Sequence, residues 1–135
     1  MHIFLDIDGV LRPVTANHDQ FDQQCLFHFE SAVQDFPEVK IVITSSLLHT
    51  IPIAALRAQF SAYIADMIEG KTPEAPPDVT MHRRYAEIRT YLERRGIGDD
   101  NWVAIDDTPS LYPEGVPLLV THPNHGFNEE CAKRL

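Results

Sequence analysis

The amino-acid sequence predicts an α/β domain in which a doubly wound, mostly parallel five-stranded sheet carries helices on both faces. Short apolar runs alternate along the chain with longer segments whose apolar residues recur every three or four positions. Polar residues directly follow three of the apolar runs, at Asp6, Thr44 and Asp106. Because the carboxyl ends of parallel strands share the edge of the sheet where such folds place their sites, we expect these three residues to lie close together.

Each element is predicted from its own pattern. Short apolar or β-branched runs predict strands over residues 3–5, 40–43, 63–68, 102–105 and 118–120. Apolar residues on one helical face predict helices over residues 21–36, 52–60, 84–95 and 128–135. Pro52 suits the first position of its helix, Gly96 the end of the next, and Gly70 the end of the third strand. Phe36 is expected on the buried face of the first helix.

The composition favours an acidic cytoplasmic protein. A chain of 135 residues predicts one domain, over residues 1–135, with a sizeable core. The excess of 20 acidic over 11 basic side chains disfavours nonspecific binding to nucleic acid or membranes, although it permits a local basic patch around a site. Two cysteines are too few for a disulfide framework, and no apolar run approaches the ~20 residues that cross a membrane.

The first strand is followed by a pair of carboxylates, Asp6 and Asp8, and then by Gly9. Like charges this close are costly unless a cation lies between them, and carboxylate oxygens are preferred ligands of Mg²⁺. Gly9 permits a sharp turn and a close approach of the backbone to a ligand. The sequence therefore predicts a metal site here, with an exposed acidic turn as the alternative.

Two further strand ends carry polar residues that support the same site. Thr44 and Ser45 offer hydroxyls and turn amides that suit phosphate oxygens, although Ser and Thr also serve commonly as caps. Asp106 and Asp107 follow a third strand and offer two more carboxylates for a metal, or a pair of residues that cap a turn. Each fragment alone is weak, and their combination carries the prediction.

Together these motifs resemble the haloacid dehalogenase (HAD)-type phosphohydrolases. That pattern has Asp-x-Asp-Gly, then a strand-end Thr or Ser, then a Lys or Arg, then a strand-end acidic pair, and it covers essentially the whole chain. A closer resemblance is to the HAD domain of Swiss Army Knife RNA-repair proteins, through the motifs at residues 42–46, 70–73, 84–88, 105–107 and 123–127. That branch often has an aromatic-Arg pair where this chain has Leu47 and Leu48.

The resemblance implies a role for each residue of the predicted site. Asp6 would be the nucleophile that forms an aspartyl-phosphate, and Asp8 would be the general acid and base. Mg²⁺ would be held by Asp6, the backbone carbonyl of Asp8, and the pair Asp106 and Asp107. Either Thr44 or Ser45 would bind a phosphoryl oxygen through its hydroxyl. A positively charged side chain would bind another phosphoryl oxygen, and the candidates are Lys71, Arg83 and Arg84. The Arg-x-x-Glu-Ile motif favours Arg84.

The spacing of the motifs predicts an open site, and the resemblance implies a phosphorylated substrate. The intervals between the three strand ends are too short to hold a large cap domain. The analogy with RNA repair suggests a nucleotide or a phosphorylated nucleic-acid end as substrate, while the oligomeric state stays open. The main alternative is a non-catalytic phosphate-binding or interaction module. A receiver-like domain would need Asp where the chain has Thr44, and a carboxylate nuclease would need a strand-end Glu beside the Asp pair.

Overall fold

A computed structural model describes residues 1–13, 20–44 and 52–135 of the chain. It contains five strands, β1 to β5, and five α-helices, α1 to α5, with a 3₁₀ turn at Pro109–Leu111. The strands are His2–Leu5, Lys40–Ile43, Ile68–Lys71, Trp102–Asp106 and Leu118–Val120. The helices are Gln23–Val33, Ile53–Arg57, Ala62–Ala65, Arg83–Arg95 and Glu129–Arg134.

The strands form one parallel sheet in the order β3-β2-β1-β4-β5. The central strand β1 pairs Leu5 with Ile43 of β2 on one side and with Ile105 of β4 on the other. The residues that follow these three positions therefore lie side by side at the carboxyl edge. The predicted fold class is confirmed, and the strand order changes direction at β1, where a doubly wound sheet places its site.

Alternation along the strands supplies a hydrophobic core on each face of the sheet. Ile3 and Leu5 face one core, which contains Phe29 of α1. Phe4 faces the other core, where Ile88 of α4 packs. Successive side chains of a strand point to opposite faces, and a strand buried on both faces therefore reads as an uninterrupted apolar run. Full burial of one such side chain contributes about 1.5–3 kcal/mol.

Three local expectations were wrong. Residues 62–65 form α3 rather than a strand, because the hydroxyl of Ser61 accepts a bond from the amide of Ile64 and starts a helical turn, so that β3 begins only at Ile68. Gly70 accordingly lies within β3, an edge strand with few packing demands. Pro52 precedes the first helical residue of α2 rather than occupying it.

The first helix is shorter than its apolar pattern suggested. The carboxylate of Asp22 caps α1 by accepting from the amides of Gln24 and Cys25 at 3.0 Å, and the helix ends at Val33. Phe36 therefore lies beyond the helix and is 53% exposed rather than buried. In contrast, Gly96 ends α4 as predicted, with a φ of 64° that glycine adopts without strain.

Candidate active site

The three predicted polar positions meet at the carboxyl edge of the sheet. The amide of Asp6 donates to the carbonyl of Ile105 at 3.0 Å, and the amide of Thr44 donates to the carbonyl of Leu5 at 3.0 Å. Asp106 is the last residue of β4. Backbone pairing of the central strands therefore fixes Asp6 between Thr44 and Asp106, and all three residues are buried.

Three carboxylates form a cluster at this edge. Asp6, Asp106 and Asp107 each offer an oxygen, and these oxygens lie within 4.8 Å of one another. Burial, followed by repulsion from Asp106, raises the pKa of Asp6 well above its usual range. Burial likewise raises the pKa of Asp106. Three carboxylate oxygens this close together suit a hard divalent cation. Such a cation would offset the free-energy cost of keeping these buried carboxylates charged.

Arg84 is the cation that reaches the cluster. Its Nη1 lies 3.4 Å from Oδ1 of Asp6 and also donates to the backbone carbonyl of Thr44, while its Nε lies 3.9 Å from Oδ2 of Asp106. Burial opposes the charged form of Arg84, but the nearby Asp6 and Asp106 outweigh it and raise the guanidinium pKa. Arg84 is thus a fixed positive charge beside Asp6, in the first turn of α4.

The other two candidate cations lie elsewhere. The guanidinium of Arg83 donates to the carbonyls of Pro76 and Val79, at 2.7 and 2.9 Å, and also to that of Ala75. Arg83 therefore fastens the proline-rich loop that precedes α4. Lys71 ends the edge strand β3, two strands away from Asp6, and is exposed. Of the three, and among the described residues, only Arg84 lies within ion-pair distance of the cluster, through Asp6 and Asp106.

Thr44 offers an unpartnered hydroxyl inside the site. Its side chain is buried, and Oγ1 has no hydrogen-bond partner among the residues that the structure describes. A buried polar group without a partner is costly, so a ligand oxygen at this position would be stabilising. The alternative to Thr44 as the phosphate-binding hydroxyl, Ser45, lies outside the described residues, as do Leu47 and Leu48.

Asp8 lies beside the carboxylate cluster but its side chain does not belong to it. Nε and Nη2 of Arg12 both donate to Oδ1 of Asp8, at 2.8 and 2.6 Å. The amide of Gly9 donates to the carbonyl of Arg12 at 2.8 Å and closes a tight turn between the two. The Asp8 carboxylate is about half exposed, so it faces the entrance of the site rather than its floor.

Gly9 makes the approach of Asp107 possible. Its φ is +81°, and a Cβ at this position would lie 2.1 Å from Oδ2 of Asp107. The hydroxyl of Thr108 donates to the other oxygen, Oδ1, at 2.9 Å. The hydroxyl of Thr121 donates to the Gly9 carbonyl at 2.7 Å and holds the turn from below. The glycine of the Asp-x-Asp-Gly motif thus leaves the space that a carboxylate of the cluster fills.

Sequence reasoning missed the residues that hold Asp106. The hydroxyl of Tyr112 donates to Oδ2 at 3.0 Å, and the amide of Thr108 donates to Oδ1 at 3.0 Å, so both carboxylate oxygens are oriented. Tyr112 is 4% exposed. Pro109 starts the 3₁₀ turn that brings Tyr112 back to Asp106. The sequence signal that could have indicated this bond is a tyrosine shortly after Asp-Asp-Thr-Pro.

Comparison with known proteins decides the family. The model of the HAD domain in Swiss Army Knife RNA repair proteins matches residues 2–132. The chain belongs to this family. No curated protein and no solved structure matches it. No helix in the described part of this HAD domain is long and apolar enough to cross a membrane.

The motifs that carried the HAD-type resemblance meet at one edge of the sheet. The first Asp of the HAD-type pattern, its strand-end Thr and its acidic pair follow or end β1, β2 and β4. These strands are neighbours in the sheet, so the structure brings the motifs together. In the HAD domain described here, the site combines a carboxylate that faces a fixed guanidinium with a cluster of oxygen ligands. Such a combination can bind a phosphate and a divalent cation together.

Proposed function

We propose that this HAD domain is a Mg²⁺-dependent phosphohydrolase that forms an aspartyl-phosphate on Asp6. The observation that carries the proposal is the pair Asp6 and Arg84, 3.4 Å apart at their nearest atoms, beside a second and third carboxylate. A nucleophile next to a fixed positive charge is what phosphoryl transfer needs, because catalysis of that reaction consists mostly of positioning and charge stabilisation.

Asp6, Asp106 and Asp107 would hold the cation. Their oxygens are close enough to share one ion, the two oxygens of Asp106 are already oriented, and Gly9 leaves room for Asp107. Bound Mg²⁺ would neutralise charge on the phosphoryl group during transfer. The resemblance adds the backbone carbonyl of Asp8 as a further ligand.

The remaining residues divide the chemistry between them. A carboxylate oxygen of Asp6 attacks the phosphorus of a phosphate monoester, and the bond from phosphorus to the leaving oxygen breaks. Asp8 donates a proton to that leaving oxygen and then accepts a proton from water, which attacks the phosphorus, releases inorganic phosphate and restores Asp6. Arg84 and the hydroxyl of Thr44 bind the phosphoryl oxygens, while Arg12 orients Asp8.

We propose a nucleotide or a phosphorylated nucleic-acid end as the substrate. The family description, which refers to RNA repair proteins, favours this class. Within residues 20–44 and 52–135, the structure shows no long insertion between β1 and β2 or between β2 and β4 that could form a large lid. An open site admits a phosphate that is attached to an extended molecule.

The direct test is a hydrolysis screen with and without Mg²⁺. Its substrates are p-nitrophenyl phosphate, nucleotides, and oligonucleotides that carry a 5′- or 3′-phosphate. We expect phosphate release that needs Mg²⁺ and stops with excess EDTA. Mg²⁺-dependent binding of a phosphorylated ligand without release would instead support the non-catalytic phosphate-binding module.

A further inference from the structure

A cleft of about 280 Å³ lies on the flank of the sheet, between the end of β3 and the last turns of α4. We call it the basic cleft; it is lined by Lys71, Thr72, Pro73, Tyr91, Arg94 and Arg95. Three of the 11 basic residues of a chain with net charge -9 therefore line one cleft. Such a local concentration of positive charge in an acidic protein attracts an anion to this surface.

The cations of the basic cleft are available to a ligand. Among the described residues, no carboxylate lies within ion-pair distance of Lys71, Arg94 or Arg95. The guanidinium of Arg95 is stacked over the ring of Tyr91, 4.8 Å from its centroid, which fixes its plane and leaves its edge for hydrogen bonds. Glu69, whose carboxylate attracts Arg95 without forming an ion pair, accepts a hydrogen bond from the hydroxyl of Tyr91 at 2.7 Å.

Gly70 precedes the basic cleft in β3 and, having no side chain, leaves space beside two of the residues that line it. A Cβ at this position would lie 4.0 Å from both Nη2 of Arg95 and the hydroxyl oxygen of Tyr91, so a larger side chain would extend toward both groups. Glycine inside a strand often marks a place where a ligand approaches the backbone closely.

The basic cleft adjoins the catalytic edge through the backbone. Lys71 pairs with Ile43, and the amide of Thr72 donates to the carbonyl of Ile43 at 3.0 Å, one residue before Thr44. The ends of β1 and β3 are two strand spacings apart, or about 10 Å. Roughly three nucleotides of a stacked strand span that distance at about 3.4 Å each, and fewer do so in an extended strand.

We propose that the basic cleft binds the phosphodiester backbone of a single-stranded oligonucleotide whose terminal phosphate occupies the site at Asp6. The proposal rests on the proposed function for the position of the terminal phosphate. Repeated phosphates along one strand match the three cations that line the cleft, Lys71 at the end of β3 and Arg94 and Arg95 at the end of α4. A mononucleotide or an aryl phosphate ends before the cleft and does not reach these cations.

The test compares two double variants with the same change of charge. One replaces two cations of the basic cleft (Lys71→Gln with Arg94→Gln), and the control replaces two exposed cations on α5 (Lys133→Gln with Arg134→Gln). Both are measured for kcat/KM on p-nitrophenyl phosphate and on an oligonucleotide with a terminal phosphate. Both pairs are also introduced into the Asp6→Asn protein, and binding of a fluorescent single-stranded oligonucleotide is measured from low to high salt in Mg²⁺.

We expect the cleft variant to bind the oligonucleotide about tenfold more weakly, with a salt dependence that is shallower by about 1.4 in log–log slope, or 0.7 for each lost phosphate contact. Its kcat/KM should fall on the oligonucleotide and stay within about twofold on p-nitrophenyl phosphate, with the α5 control unchanged on both. Equal oligonucleotide binding by the cleft and control variants would overturn the proposal that the basic cleft binds a strand. Equal losses of kcat/KM by the cleft variant on both substrates would overturn it as well. A wild-type protein that hydrolyses nothing would refute the proposed function, while the binding measurements would still decide whether the cleft holds a strand.

Discussion

Oδ2 of Asp107 lies in the space that a side chain on Gly9 would need, because a Cβ on residue 9 would be only 2.1 Å from that oxygen. This close approach joins the Asp-x-Asp-Gly motif after β1 to the acidic pair at the end of β4. The two motifs are therefore coupled by shape, and a change at Gly9 must displace a carboxylate of the proposed metal site.

Gly9→Ala should destabilise the fold and weaken Mg²⁺ binding together. A left-handed backbone costs a residue with a Cβ about 1–2 kcal/mol, and the clash with Asp107 adds to that cost. Gly115→Ala is the matched control, since Gly115 has a φ of +86° but nothing within 4 Å of its Cβ position. Urea denaturation should show a larger loss for Gly9→Ala. Equal losses for the two variants would mean that the contact with Asp107 has no energetic weight.

Tyr112→Phe should weaken Mg²⁺ binding while the fold is retained. The hydroxyl that orients Oδ2 of Asp106 is lost, and partners of metal ligands typically change affinity by about 10–100-fold. Tyr91→Phe is the control, because it also removes a hydroxyl that donates to a carboxylate, but that carboxylate, Glu69, is not part of the cluster. Calorimetric titration with Mg²⁺ measures both proteins. An unchanged affinity in Tyr112→Phe would show that Asp106 needs no such partner.

Without Mg²⁺, the free energy of unfolding should fall as pH rises above the usual aspartate range. The pKa values of Asp6 and Asp106 are raised in the folded protein, chiefly by burial, so the folded state binds more protons than the unfolded chain across that window. Urea denaturation between about pH 4 and pH 8 in EDTA should show this loss, reduced by Asp6→Asn and by saturating Mg²⁺. A profile in EDTA that Asp6→Asn leaves unchanged would contradict the contribution of Asp6.

Asp8→Asn should slow the hydrolysis of substrates with poor leaving groups most. An activated aryl phosphate hardly needs a proton on its leaving oxygen, whereas an alkyl or nucleotide phosphate does. We expect a loss of about 10²–10⁴-fold on a nucleotide phosphate and a much smaller one on p-nitrophenyl phosphate. Steady-state kinetics on both substrates provide the measurement. Equal losses on the two would remove the general-acid role from Asp8.

The sequence predicted the centre of the site better than its surroundings. Asp6, Thr44 and Asp106 each follow an apolar run, and parallel pairing alone brings such positions together. The bond from Tyr112 to Asp106 depends on how a 3₁₀ turn folds back, which no periodicity reveals. The third strand was misplaced because Ser61 caps a short helix within a run that resembles a strand.

The choice among the three cations also needed the fold. Arg83 and Arg84 are adjacent in the sequence, yet one fastens the loop that contains Pro76 and the other contacts Asp6. Their directions differ because successive residues of a helix point about 100° apart. Lys71 is the last residue of the edge strand β3, and the bounds of that strand had to be known before the distance of Lys71 from Asp6 could be judged.

The most direct test of the account is the rate of Mg²⁺-dependent hydrolysis by the Asp6→Asn protein. The amide is nearly isosteric with the carboxylate but is a poor nucleophile, so phosphate release from both p-nitrophenyl phosphate and a phosphorylated oligonucleotide should be lost. Circular dichroism should meanwhile show a retained fold. A folded Asp6→Asn protein whose sequence is verified by mass spectrometry, and which still hydrolyses both substrates at the wild-type rate, would contradict the aspartyl-phosphate mechanism.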